Sequence, residues 1–139
     1  MMKIVPDSNT IISGFLFRGN ESKLFELTET GKITVFVSEE ILEEVMRVIG
    51  RSKFGLTVQE REETMSRLLN LSTVIKPTKK IQVVKEDPTD NKFIECAAEA
   101  KAQYIVSGDK HLLKIHTYRN IKIVKTKELL TLLRQDHKL

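Results

Sequence analysis

The stretch Asp87–Leu113, DPTDNKFIECAAEAKAQYIVSGDKHLL, decides the fold. It opens on a turn bearing two carboxylates, Asp87 and Asp90. A segment with an apolar stripe at helical spacing follows (Phe93, Ile94, Ala97, Ala98), then the β-branched run Tyr104-Ile105-Val106, then a third acid, Asp109. A helix feeding a short, wholly apolar strand is half of a βαβ unit, which builds a parallel sheet covered by helices. Asp90 starts the helix and Asp109 ends the strand, so the crossover places both at the same edge of that sheet.

Working outward, further β-branched runs occur at Lys3–Val5, Ile33–Val37, Thr73–Ile75 and Ile121–Val124. All but the Thr73–Ile75 candidate are continuous or nearly so rather than cleanly alternating, as in strands buried on both faces. Helical periods lie between them, at Glu21–Thr30 and Asn91–Ala102 and from Thr126 to Arg134. Ser38 caps a helix carrying Ile41, Leu42, Val45, Val48 and Ile49, and Thr57 caps another reaching Leu71. Residues 79–86 read as a polar connection with a short extended piece at Ile81–Val84. The expectation is one α/β domain over residues 1–139, a three-layer α/β/α sandwich around a mainly parallel sheet.

The chain has 139 residues, 40% hydrophobic and 30% charged, which suits one ordinary globular domain. There is no apolar run of membrane-spanning length and no signal peptide at MMKIVPDSNT, and the one cysteine, Cys96, fits a reducing compartment. A cytoplasmic protein without a membrane partner is therefore expected. The net charge of +4 leans towards an anionic partner such as nucleic acid.

The acids matter more than the net charge. In open α/β sheets ligands gather at the carboxyl ends of the strands. Asp7 follows the first strand, Asp109 a later one, Asp87 and Asp90 precede a helix at that edge, and Glu43 and Glu44 lie on the helix after Val37. Each acid alone has a structural reading: Asp7 and Asp109 as caps of the turns that follow, Asp87 as a turn opener, Asp90 as an N-cap, the glutamates as a solvated face. Their shared placement is what points to one cluster. Two carboxylates about 4 Å apart repel by about 4 kcal/mol at an effective dielectric near 20, so such a cluster calls for a cation. An oxygen-only donor set favours Mg²⁺ or Mn²⁺ over Zn²⁺. His111, His116 and His137 lack ligand spacing and read as surface or packing residues, and Cys96 reads as core. A carboxylate-held divalent ion on a basic protein suits phosphodiester hydrolysis, whereas no GxxxxGK[ST] loop is present for P-loop chemistry.

The ordered set Asp7-Ser8-Asn9, Ser38 with Leu42 and Glu44-Val45, Asp87 with Asp90, and Ser107-Gly108-Asp109 with Leu112-Leu113 resembles the PIN-domain nucleases. It is most similar to the branch of toxin components of bacterial and archaeal toxin–antitoxin pairs, related to the VapC-type toxins. The resemblance implies a metal-dependent endoribonuclease in which Asp7, Glu44, Asp90 and Asp109 hold one or two Mg²⁺ or Mn²⁺ ions. Glu43 takes the place of Glu44 if the register is one residue off. Asn9, Ser107, Asp87 and Asn91 would orient ligands or touch substrate. Many relatives carry an acid where Asn91 stands, so a charge is lost there and a second metal position stays open. Implied partners are an RNA substrate, a cognate antitoxin and a second copy of the chain. Lys3, Lys92, Lys110 and the Lys114–Lys127 region are candidates for phosphate contacts. The alternative is a PIN-like module that binds RNA or protein without cutting. Phosphotransfer domains of receiver or dehalogenase type also place acids at strand ends, but Asp7-Ser-Asn-Thr supplies no second Asp.

Overall fold

In the computed structural model, which describes residues 1–137 and side chains to Gln135, the chain alternates strands and helices as the sequence leads one to expect. The reading of the His137 side chain lies outside the described residues. Strand β1 (Met2–Pro6) leads into α1 (Ser8–Leu16) and α2 (Asn20–Glu26), and β2 (Ile33–Ser38) into α3 (Glu39–Ile49) and α4 (Val58–Leu71). Then come β3 (Ser72–Ile75), α5 (Asn91–Ala100), β4 (Tyr104–Val106), α6 (Lys110–Ile115), β5 (Thr117–Tyr118), β6 (Ile121–Val124) and α7 (Thr126–His137). The sheet order is β3-β2-β1-β4-β6-β5, parallel throughout except for the antiparallel β5–β6 pair.

The continuous apolar runs are explained by burial: Ile4, Val5, Val35, Val37, Ile105 and Val106 have no exposed surface. Such strands need cover on both faces, and helices supply it in a three-layer arrangement, with α5 packed on β1, β2 and β4, and α1 packed on α2 and α3. Two caps read from sequence form as hydrogen bonds. Ser38 Oγ accepts from Ile41 N at 3.3 Å, and Thr57 and Glu60 make a reciprocal capping box. Helix α1 had no counterpart in the sequence reading, because SNTIISGFL mixes Gly and β-branched residues of weak helix propensity.

The connector between β3 and α5 differs from expectation. Its 81–84 piece joins no strand. Instead, α5 side chains one turn apart grip its backbone. Glu99 accepts from Thr78 N at 2.9 Å and Thr78 Oγ1 at 2.7 Å, and Glu95 accepts from Ile81 N at 3.0 Å. Asn91 Oδ1 accepts from Val83 N and Val84 N at 2.9 and 2.8 Å, and its Nδ2 donates to the carbonyls of Val84 and Pro88 at 3.2 and 3.0 Å. Buried Ile81 and Val84 fix the same segment from the apolar side. No helix among the described residues is long and apolar enough to cross a membrane.

Candidate functional site

Beyond the last ladder pairs the sheet still directs the chain. Asp7 N donates to Val106 O at 2.9 Å, and Ser107 N donates to Val124 O at 3.0 Å, so the segments leaving β1 and β4 run side by side. That sets Ser107 Oγ on Asp7 Oδ2, while Asp7 Oδ1 accepts from Thr10 N at 2.8 Å and caps α1. Asp109 N donates to Ser107 Oγ at 2.9 Å, and the Asp109 carboxylate caps α6 through His111 N and Leu112 N, both at 3.1 Å. Both structural readings are therefore true. A cap engages one lone pair of a carboxylate oxygen and leaves others for a ligand.

Asp90 behaves differently: it precedes α5 yet makes no side-chain capping bond. It sits at the end of a 3₁₀ turn, Pro88–Asp90, in which Asp87 Oδ1 accepts from Thr89 Oγ1 at 2.6 Å. Glu44 faces the same side from α3, where it accepts from the Ser8 hydroxyl, while Glu43 is exposed. Asp7, Glu44, Asp87, Asp90 and Asp109 line one cavity of about 240 Å³, with Asn9 at its rim and Arg51 and Phe93 in its wall. Four separate elements thus bring the acids together, and Glu44 rather than Glu43 is the glutamate they meet.

Burial raises the pKa of Asp7 despite the hydrogen bonds that oppose it, and the nearby Asp109 adds to the rise. Asp90 is pushed from 3.8 to about 6, first by desolvation and then by Asp87, Asp109 and Glu44, with Lys92 pulling the other way. A carboxyl whose folded pKa is raised binds its proton more tightly in the folded state. The stability it contributes is present below its unfolded pKa and is lost as pH rises through the folded value. The metal-free protein should therefore melt at progressively lower temperature between about pH 4 and pH 6, and Asp90→Asn should reduce that slope. Melting curves in EDTA across this window check the expectation; an unchanged slope in Asp90→Asn would contradict it.

Two residues sit differently from their sequence reading. Asn91 is turned away from the cavity, its amide fully occupied by the connector, so it is no ligand or substrate contact. Lys92 is 7% exposed, and its ammonium lies 2.8 Å from Glu44 Oε2 and 2.9 Å from Thr89 O. It is an internal counter-ion of the acid cluster and not a free phosphate contact, a role legible only once Glu44 is placed. Lys3 stands over the Phe36 ring near the start of β1, away from the acids, and Lys114 pairs with Glu86 at 3.1 Å. Cys96 is buried, and its thiol is pushed up to about 12 by desolvation, so it is core and no nucleophile. His111 pairs with Glu86 at the surface.

Among the described residues no three His, Cys, Asp or Glu side chains already stand close enough to hold an ion; the carboxylates border the cavity without closing on one point. The donor set nevertheless fits a hard divalent ion. It is all oxygen, buried at Asp7 and half-buried at the other acids, and offset in part by the Lys92 ammonium on Glu44 and the Arg51 guanidinium in the wall.

The PIN-domain family model matches residues 3–111, which includes all of these acids. The chain is a member of the PIN-domain family. No curated protein matches it. Solved PIN-like structures share its fold at low identity. One is a chain of the Rickettsia felis VapBC2 structure, determined bound to a DNA fragment from its promoter. It has a TM-score of 0.64 and 14% identity, covering 88% of this chain and 97% of that one. Another is PAE2754 from Pyrobaculum aerophilum, with a TM-score of 0.65 and 12% identity over 96% of this chain and 90% of that one. In this PIN domain the acids lie at the carboxyl edge of the parallel strands, the usual place for a site in such a sheet.

Proposed function

We propose that the protein is a Mg²⁺- or Mn²⁺-dependent endoribonuclease, the toxin of a type II toxin–antitoxin pair. The convergence of Asp7, Glu44, Asp90 and Asp109 on one cavity carries this reading. Those four residues would hold the metal, which when bound lowers the pKa of a water and offsets charge developing on the phosphate. Ser107 holds Asp7, and Ser8 and Lys92 hold Glu44, so two of the four carboxylates are aimed before substrate arrives. Asn9, exposed at the cavity rim, is placed to donate to a phosphate oxygen.

The fold shared with a VapBC2 chain supports an antitoxin partner. Exposed apolar side chains at Met46, Val58 and Leu69 suit a protein partner, whether an antitoxin or a second copy. The reading takes residues 1–139 as one PIN domain acting in the cytoplasm.

Hydrolysis of a mixed single-stranded RNA pool tests the activity. Cleavage is expected with Mg²⁺ or Mn²⁺, not with EDTA, and Glu43→Gln should cut as the wild type does. Metal at 100 times its dissociation constant should also stabilise the fold by about 2.7 kcal/mol. Cleavage that persists in EDTA would overturn the metal assignment. RNA bound but left uncut by metal-loaded protein would favour a binding module.

A further inference from the structure

Beside the acid cavity lies a second groove, of about 310 Å³. We infer that this groove, lined by Asn9, Ser13, Asn20, Lys125, Thr126 and Lys127, seats the sugar–phosphate backbone of the RNA strand next to the bond that is cut. The inference deepens the nuclease reading and rests on it for the identity of the strand.

Continuity is the first argument. Asn9 lines both the groove and the acid cavity, and Gly108, also in the groove wall, immediately precedes Asp109. A strand leaving the acids across Asn9 enters the groove directly.

Charge is the second. The acids repel phosphate, so attraction must come from beside them. Lys125 and Lys127 are exposed, and neither ammonium has a partner among the described residues, unlike Lys92 on Glu44 or Lys114 on Glu86. Among the described residues the side chains of Asn9, Ser13 and Asn20 likewise have no hydrogen-bond partner. The groove near Lys80 and Lys85, which shares Thr89 with the acid cavity, also contains Glu40 and Glu95, and its third lysine, Lys92, is engaged by Glu44, which weakens its claim on an anion.

Composition is the third argument. No aromatic side chain lines the groove, so it offers donors and cations for phosphates but no platform for stacking a base. The class of ligand is therefore a nucleic-acid backbone and not a base. One carboxylate, Glu21, also lines the groove and opposes the same ligand.

Gly108 gives a steric handle. A Cβ there would meet nothing within 4 Å, and the backbone is not left-handed. The fold thus tolerates a side chain at 108, but that side chain would stand in the groove beside Asp109.

The test is anisotropy of a fluorescein-labelled single-stranded RNA, with Ca²⁺ in place of Mg²⁺, over a range of salt. Lys125→Glu with Lys127→Glu should weaken binding at least about tenfold and lower the salt slope by about 1.4, the value for two single-strand phosphate contacts. Glu21→Gln should tighten binding a few-fold, and Gly108→Val should weaken it with an unchanged melting temperature. Equal affinity and equal slope in wild type and the double variant would overturn the groove even if RNA is cut. Binding lost in the double variant, from a wild type that never cuts RNA with Mg²⁺ or Mn²⁺, would sustain the groove and overturn the nuclease reading instead.

Discussion

Asp7→Asn should lower RNA cleavage by about 10³-fold or more while leaving the metal-free fold at least as stable as the wild type. The two halves have one cause. Asp7 is 4% exposed, and its pKa is raised because burial outweighs the hydrogen bonds it accepts from Thr10 and Ser107. As a charge it is therefore costly in the absence of a cation. An amide of the same shape keeps the Thr10 N cap and donates to Ser107 Oγ, which already accepts from Asp109 N. On the proposed metal site the catalytic loss follows from removing one of its ligands: metal stabilisation of several kcal/mol converts, at 1.36 kcal/mol per decade, to about three decades of rate. Losses at Asp7, Glu44, Asp90 and Asp109 should not add, because each removes the same ion. Single-turnover cleavage together with melting in EDTA and in Mg²⁺ gives both readouts. A variant that still cuts within tenfold of wild type would remove Asp7 from the site.

Asn91→Asp should destabilise the protein by about 3 kcal/mol and add no metal site. The substitution looks like a restoration on the resemblance drawn from the sequence. The structure points the other way. The Asn91 amide donates to two carbonyls, of Val84 and Pro88, inside a site that is 7% exposed. A carboxylate keeps the two bonds it accepts from Val83 N and Val84 N but meets those carbonyls with charge and no proton, each lost buried partner costing about 1–3 kcal/mol. Urea unfolding measures the loss, and calorimetric titration with Mn²⁺ counts the ions. A variant as stable as wild type that binds one more ion would show that Asn91 faces the cavity in solution.

How much of this was legible in the sequence depended on what each feature needs. Strands buried on both faces write themselves as continuous runs, so Ile4-Val5, Val35 to Val37 and Ile105-Val106 could be placed with their order along the chain. An acid directly after such a run must lie at the sheet's carboxyl edge, which is why Asp7 and Asp109 were found by position alone. Orientation around a helix is harder, because one residue turns a side chain by about 100°. Residues 90, 91 and 92 therefore part company. Asp90 borders the acid cavity, Asn91 holds the connector, and Lys92 reaches Glu44. No local pattern separates these three; only the position of α3 and of the connector does. The partner choices of Lys92 and of Lys114 were hidden for the same reason. The β5–β6 pair, anchored on a two-residue strand, carries too little sequence to declare itself.

The grip of α5 on the connector also sets where the chain tolerates a change of length. Glu99, Glu95 and Asn91 stand one turn apart and take hold of backbone groups at 78, 81 and 83–84 in turn. A polar stretch of this kind would ordinarily accept insertions and deletions freely. Here an added or missing residue between Thr78 and Val84 puts the next N–H out of step with the helix, and the slack passes directly to Asp87 and Asp90. The connector is thus a measured spacer: its length is under the same constraint as the identity of the acids it delivers.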